Sequence, residues 1–127
     1  MSDLLLDTNA FAWVLLRATQ LSPAARLAIA GATRASVSSI SIFEITQKVR
    51  VGKWQAMSLL SSNLAAYARL LRIDLIPLDA PICSAAGSMA WGHKDPFDRM
   101  IAATALHLGC PLVSSDAAFD GIVARVW

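Results

Sequence analysis

Glutamate is nearly missing from this chain. Of nine acidic residues eight are aspartate and only Glu44 is glutamate. A protein that used glutamate for solvation would carry several, so the single one invites a specific role. Cysteine is scarce too. Cys83 and Cys110 have no metal-like spacing with His93 or His107, and read as two reduced core thiols in a cytoplasmic protein. Long apolar runs are absent. Hydrophobic content is 56% and mean hydropathy +0.53, yet no run approaches the ~20 residues of a membrane span. No basic segment precedes the three leucines that Asp3 and Asp7 bracket, which excludes a signal peptide. Repeats, low-complexity tracts and linkers are also lacking. What remains is one domain over residues 1–127, large enough for a real core. Its apolar surplus points to a buried partner interface as well.

Strands alternate with helices along the chain. Leu4–Leu6 is a short run, apolar on both faces, and reads as a buried strand. A helix over Phe11–Arg17 follows. Ser22-Pro23 opens a second helix, to about Ala32, as N-cap and first helical position. Ala35–Ser38 is a strand. Ser41-Ile42-Phe43-Glu44 starts a helix that stops at Gly52. The apolar spacing of Leu60, Leu64, Tyr67, Ala68 and Leu71 predicts one long helix over Met57–Leu71. Ile73–Pro77 is a strand and Pro81–Trp91 a helix. Asp95-Pro96 caps a helix to Leu108, which Gly109 ends. Leu112–Ser114 is a strand, and Val123–Trp127 a short edge strand. This order predicts an α/β fold with a mostly parallel sheet covered on both faces.

Four acids stand out: Asp7 and Asp116 at strand ends, Glu44 and Asp98 in the first turns of helices. Asp7 follows the first strand, where Thr8 or Asn9 would cap a helix equally well. Asp116 follows Leu112–Ser115 in the same way and is placed there better than Asp120. Glu44 fits a capping box with Ser41 and an i,i+4 pair with Lys48, so spacing alone gives it a structural reading. Asp98 lies in the first turn after Asp95-Pro96, and two anions at i,i+3 need a helix end or a cation between them, a place Arg99 fits. Parallel strands bring such junctions to one rim. Four oxygen donors without histidine or cysteine suit Mg²⁺ or Mn²⁺ rather than zinc. His93 reads as an exposed loop residue and His107 as a favourable charge in a last helical turn. With four acids at one site, 11 Lys and Arg face the remaining five. That is a cationic body around an acidic hole, suited to an anionic polymer.

The ordered set Leu4-Leu5-Leu6-Asp7-Thr8-Asn9, Ser41-Ile42-Phe43-Glu44-Ile45, Lys48-Val49-Arg50-Val51-Gly52-Lys53, His93-x-Asp95-Pro96-Phe97-Asp98-Arg99 and Leu112-Val113-Ser114-Ser115-Asp116 resembles a PIN domain. More narrowly it resembles the VapC-type ribonuclease toxins of prokaryotic toxin–antitoxin pairs. The resemblance spans essentially the whole chain. It implies a three-layer α/β/α fold with a sheet of four or five strands. It implies a metal site of Asp7, Glu44, Asp98 and Asp116, with Thr8, Asn9 and Ser115 as polar support. Asp95 is an additional acid and not a ligand. It further implies hydrolysis of RNA by a water acting with one or two Mg²⁺ or Mn²⁺ ions, a cognate antitoxin laid over the groove, and a homodimer or a hetero-oligomer with that antitoxin. Lys48, Arg50, Lys53, Lys94 and Arg99 are candidate phosphate contacts. Trp13, Trp54 and Trp91 are candidate interface anchors, with core packing the safer reading for each. Two other readings compete. A phosphoaspartate receiver or phosphatase would need a lysine near a late strand end, where Ser114 and Ser115 stand. A non-catalytic PIN-like binding protein would lack a core acid, and all are present.

Overall fold

The computed structural model describes residues 3–127. Five strands, β1 (Asp3–Leu6), β2 (Arg34–Ser38), β3 (Ile73–Ile76), β4 (Leu112–Val113) and β5 (Arg125–Val126), form one sheet in the order β3-β2-β1-β4-β5. Every neighbouring pair is parallel. Six helices supply the crossovers: α1 (Thr8–Leu16), α2 (Pro23–Gly31), α3 (Ser39–Arg50), α4 (Leu64–Leu70), α5 (Ala80–Ser88) and α6 (Pro96–Leu108).

The three leucines of β1 explain the layering. Successive side chains of a strand point to opposite faces. Leu4 and Leu6 pack with Phe11, Ala25, Val37, Ile45, Leu64 and Val113, beneath α1 to α4. Leu5 packs the other way, with Ile101, Ala102, Ala105, Leu112 and Phe119 beneath α6. All three leucines are at most 2% exposed, so β1 is central and buried on both sides, as its unbroken apolar run requires. The result is the expected three-layer α/β/α arrangement, with five strands.

The chain builds outward from β1 to β2 and β3, then returns to lay β4 and β5 on the other side. The strand order therefore reverses between β1 and β4. In open α/β sheets such a reversal leaves a crevice at the carboxyl ends of the strands, where ligands bind. Register aligns those ends: Leu6 pairs with Val37 and with Val113. The backbone N–H of Asp7 continues the ladder, donating to the carbonyl of Val113 at 3.1 Å.

Several helix limits follow their punctuation. Ser22 caps α2 and Asp95 caps α6, each with proline in the first turn. Gly109 ends α6 at φ 65°, a left-handed conformation that glycine adopts freely. Other limits differ. α1 starts at Thr8, three residues early, because Asp7 is its cap. α3 starts at Ser39 with Ser38 as cap, so Ser41 and Glu44 form no capping box. α5 ends at Ser88, short of Trp91, and β5 covers only Arg125–Val126. The long helix over Met57–Leu71 is broken into tight turns at Gln55–Met57 and Ser61–Asn63 before α4. The hydroxyls of Ser58 and Ser61 donate to the carbonyls of Gln55 and Ser58, the local competition that makes such residues poor in helix interiors. Both cysteines are free. None of the described helices is long and apolar enough to cross a membrane.

Candidate active site

At the crevice between β1 and β4 lies a pocket of about 50 Å³ lined by Asp7, Thr8, Asn9, Glu44, Asp98, Ile101, Asp116 and Phe119. All four acids singled out in the sequence meet there. A water occupies about 30 Å³ of liquid, so the space admits ions or waters.

Asp7 is buried, and its Oδ1 accepts from the Ala10 N–H at 2.8 Å. It thus caps α1 and lines the pocket at once. Burial raises its carboxyl from 3.8 to about 6; hydrogen bonds from Ser114 and Ala10 oppose the rise, and the charges of Asp98 and Glu44 add to it. Glu44 lies in the second turn of α3, not the first. Its Oε1 accepts from Thr8 Oγ1 at 2.6 Å, and its Oε2 faces Lys48 Nζ at 3.0 Å. Thr8 has one hydroxyl proton and gives it to Glu44. Its 2.9 Å contact with Ser41 therefore has Ser41 as donor. Ser41, Thr8 and Glu44 thus form a buried relay in which each polar atom has a partner.

Asp98 stands in the first turn of α6, partly exposed. Burial raises its carboxyl, the His93 hydrogen bond lowers it, and the charges of Asp95 and Asp116 raise it. Asp116 is exposed after β4, and its Oδ1 accepts from the Ala118 N–H at 2.9 Å. The acids feel one another's charge without crowding: among the described residues no three of these four bring oxygens within 4.8 Å of one another. Mutual repulsion across a small wet pocket favours a divalent cation, and an all-oxygen donor set is one that Mg²⁺ or Mn²⁺ accepts.

The surrounding residues depart from expectation in four places. Ser115 is exposed, while Ser114 is fully buried; its hydroxyl accepts from the Asp116 N–H at 3.0 Å and acts on Asp7 by lowering its carboxyl. Ser114 is therefore the serine that links two of the acids. Arg99 neither separates Asp95 from Asp98 nor faces the pocket. Its guanidinium donates to the carbonyls of Ala86, Met89, Trp91 and His93 at 2.6–3.0 Å. Lys48 makes the i,i+4 pair its spacing offers, with Glu44, and lies 5.4 Å from the centre of the Trp54 ring, so it is no free phosphate contact. His93 is no free loop residue: its Nε2 meets Asp98 Oδ2 at 2.7 Å. Among the described residues the one trio of potential ligands within 4.8 Å is His93, Asp95 and Asp98. Asp95 is engaged as cap, its Oδ1 accepting from the N–H groups of Phe97 at 2.9 Å and Asp98 at 3.4 Å. The three tryptophans pack within the molecule: Trp13 on Trp127, Trp54 under Lys48, Trp91 between His93 and Phe119.

Comparison with known proteins adds to this geometry. The family model described as PIN domain matches residues 4–124. No curated protein matches by sequence. Among solved structures, a toxin–antitoxin complex from Klebsiella pneumoniae is 20% identical with a TM-score of 0.66, covering 97% of this chain and 95% of that one. DNA-bound VapBC from Salmonella typhimurium is 20% identical with a TM-score of 0.67, covering 98% and 97%. VapC20 of Mycobacterium tuberculosis, a sarcin-ricin loop cleaving toxin, is 15% identical with a TM-score of 0.64, covering 91% and 92%. At these identities the likeness is one of fold.

Proposed function

The chain belongs to the PIN domain family, and on that premise we propose that it is a metal-dependent endoribonuclease, a toxin that a cognate antitoxin holds inactive. The observation that carries this reading is the convergence of Asp7, Glu44, Asp98 and Asp116 on one small pocket at the reversal of strand order. A structural role would satisfy any one of them. It does not account for a buried aspartate raised to about 6 beside two other acids.

Asp7, Glu44, Asp98 and Asp116 would hold Mg²⁺ or Mn²⁺. When bound, such an ion supplies Lewis acidity toward a phosphodiester and makes water a better nucleophile near neutral pH. The chain's own residues set the geometry. Thr8 and Lys48 fix both oxygens of Glu44. Ser114 ties Asp7 to the backbone at Asp116. Asn9 is exposed at the pocket lining, where its amide can meet a phosphate oxygen. Arg50, Lys53 and Lys94 are exposed and offer sequence-independent phosphate contacts, which weaken steeply with salt. Arg99 is withdrawn from that set by its carbonyl partners.

An antitoxin partner is supported by the structural neighbours, among them a toxin–antitoxin complex and a DNA-bound VapBC. It is also supported by large exposed apolar side chains: Phe43 at 54%, Leu59 at 88% and Leu70 at 78% exposure. The deciding assay is RNA cleavage with added Mg²⁺ or Mn²⁺, comparing wild type with Asp98→Asn. Loss of cleavage in the variant with an unchanged fold is the expected result; equal cleavage removes the metal-site assignment. Labelling of Asp7 by a phosphodonor would favour a phosphoaspartate module instead.

A further inference from the structure

One part of the acidic pocket is built more heavily than a ligand requires. Residues 91–95, between α5 and α6, have no regular secondary structure, so their carbonyls lack ladder partners. Arg99 supplies them. Its Nη1 donates to the carbonyls of Trp91 at 2.6 Å and His93 at 3.0 Å, its Nη2 to Met89 at 2.7 Å, and its Nε to Ala86 at 2.8 Å. One planar guanidinium thus stands in for a sheet, a use that lysine's compact ammonium cannot match. The segment so fixed carries a second layer of order. The Trp91 and His93 rings stack at 4.7 Å and 25°, and Trp91 in turn rests on Phe119 of the pocket wall at 5.7 Å. The imidazole is therefore held on its face by Trp91 and through its backbone by Arg99. Among the described residues its one polar contact is Nε2 to Asp98 Oδ2 at 2.7 Å.

The direction of that bond follows from chemistry. An ionised carboxylate only accepts, so Nε2 carries the proton and donates. A nitrogen used in this way has no lone pair for a metal. Asp95, the third member of the tight trio, already accepts from two backbone N–H groups. Nε2 and Asp95 are thus both engaged, the one by Asp98 and the other by backbone N–H groups. What the trio does is fix Oδ2 of Asp98, a residue that lines the pocket. Without the donor, Asp98 faces the charges of Asp95 and Asp116 with nothing on this side to hold it.

We infer that His93 is a positioning residue for the metal site, holding the Asp98 carboxylate at the end of an Arg99–Trp91–His93 support. The inference rests on the metal-dependent reading given above. Hydrogen-bond partners of metal ligands characteristically contribute about 10- to 100-fold in metal affinity, and that is the effect to be read.

The experiment is Mn²⁺ titration by calorimetry of wild type, His93→Ala, His93→Gln and Asp98→Asn, with RNA cleavage measured on the same preparations across Mn²⁺ concentration. His93→Ala should weaken Mn²⁺ binding by about 10-fold or more. It should raise the Mn²⁺ needed for half-maximal cleavage by the same factor, and leave kcat at saturating Mn²⁺ and KM for RNA within about 2-fold. Glutamine places an N–H donor close to the position of Nε2, so His93→Gln should recover binding to within about 3-fold of wild type. Circular dichroism checks the fold, and where the alanine variant does not fold the glutamine variant decides. Wild-type Mn²⁺ affinity in His93→Ala, or equal losses in the alanine and glutamine variants, overturns the role of His93 while leaving the nuclease reading intact. Equal Mn²⁺ binding by wild type and Asp98→Asn overturns both.

Discussion

Replacing Asp7 by asparagine should make the protein more stable while destroying its activity. The carboxyl is raised from 3.8 to about 6, chiefly by burial, with repulsion from Asp98 and Glu44 added. An acid whose folded value exceeds its unfolded one binds its proton more tightly in the folded state. Its contribution to stability is therefore complete below about 4 and is lost as pH rises through 6. At about 1.4 kcal/mol per pH unit, the ionised side chain costs the metal-free fold about 3 kcal/mol at pH 7.5. Asparagine has the same shape, keeps an Oδ1 acceptor for the Ala10 N–H, and carries no charge. Asp7→Asn should thus gain about 3 kcal/mol, or about 10 °C in Tm for a domain of this size. The assay is thermal denaturation of metal-free wild type and variant from pH 4 to 7.5. The gap should be small at pH 4, widen through pH 6, and then level. Mn²⁺ should raise the Tm of the wild type more than that of the variant. A variant no more stable than wild type at pH 7.5, or a gap independent of pH, refutes the reasoning.

Three further outcomes are expected. Thr8→Val removes the donor to Glu44 Oε1 and the acceptor for Ser41; it should cost about 1–3 kcal/mol in urea denaturation, and a loss below about 0.5 kcal/mol would mean that the relay is dispensable. Arg99→Ala leaves the Ala86, Trp91 and His93 carbonyls without their donor, while Met89 keeps the Trp91 N–H, so it should cost on the order of 3 kcal/mol, with Arg99→Lys recovering less than half; hydrogen exchange localised to residues 86–95 is the accompanying signature. Binding of RNA to the catalytically inactive Asp98→Asn should weaken as a power of salt concentration with a slope set by the number of phosphates contacted, and Lys53→Ala should lower that slope by about 1 without changing sequence preference.

Local chemistry made much of this molecule legible. Serine or aspartate followed by proline marks two helix starts because the cap and the fixed φ act within one turn. The Leu4–Leu6 run marks a central strand because only burial on both faces explains it. The acids converge because parallel strands put all their carboxyl ends on one side. What escaped depends on contacts that spacing does not encode. The spacing of Ser41 and Glu44 fits a cap, yet Ser38 took that place and freed both residues for Thr8. Ser114 and Ser115 differ only in which face the chain presents as β4 ends. His93 lies five residues from Asp98, and the bend that joins them is held by Arg99 reaching back to carbonyls as far away as Ala86. A helical period over Met57–Leu71 counted apolar positions and overlooked the serines that bond their own backbone.

The position of β1 has a consequence for how the protein is made. The first strand of the sequence is central in the sheet, and its two neighbours arrive from residues 34–38 and 112–113. A growing chain that has reached residue 100 holds Asp7, Glu44 and Asp98 but leaves one edge of β1 unpaired. It also lacks the Val113 carbonyl that receives the Asp7 N–H, and Ser114. Such non-local pairings form late, after the loop-closure entropy has been met. Polypeptides ending before β4 should bind no Mn²⁺ tightly, which stalled nascent chains can report. On the nuclease reading, the site is complete only once β4 has joined β1, so the order of synthesis delays its assembly.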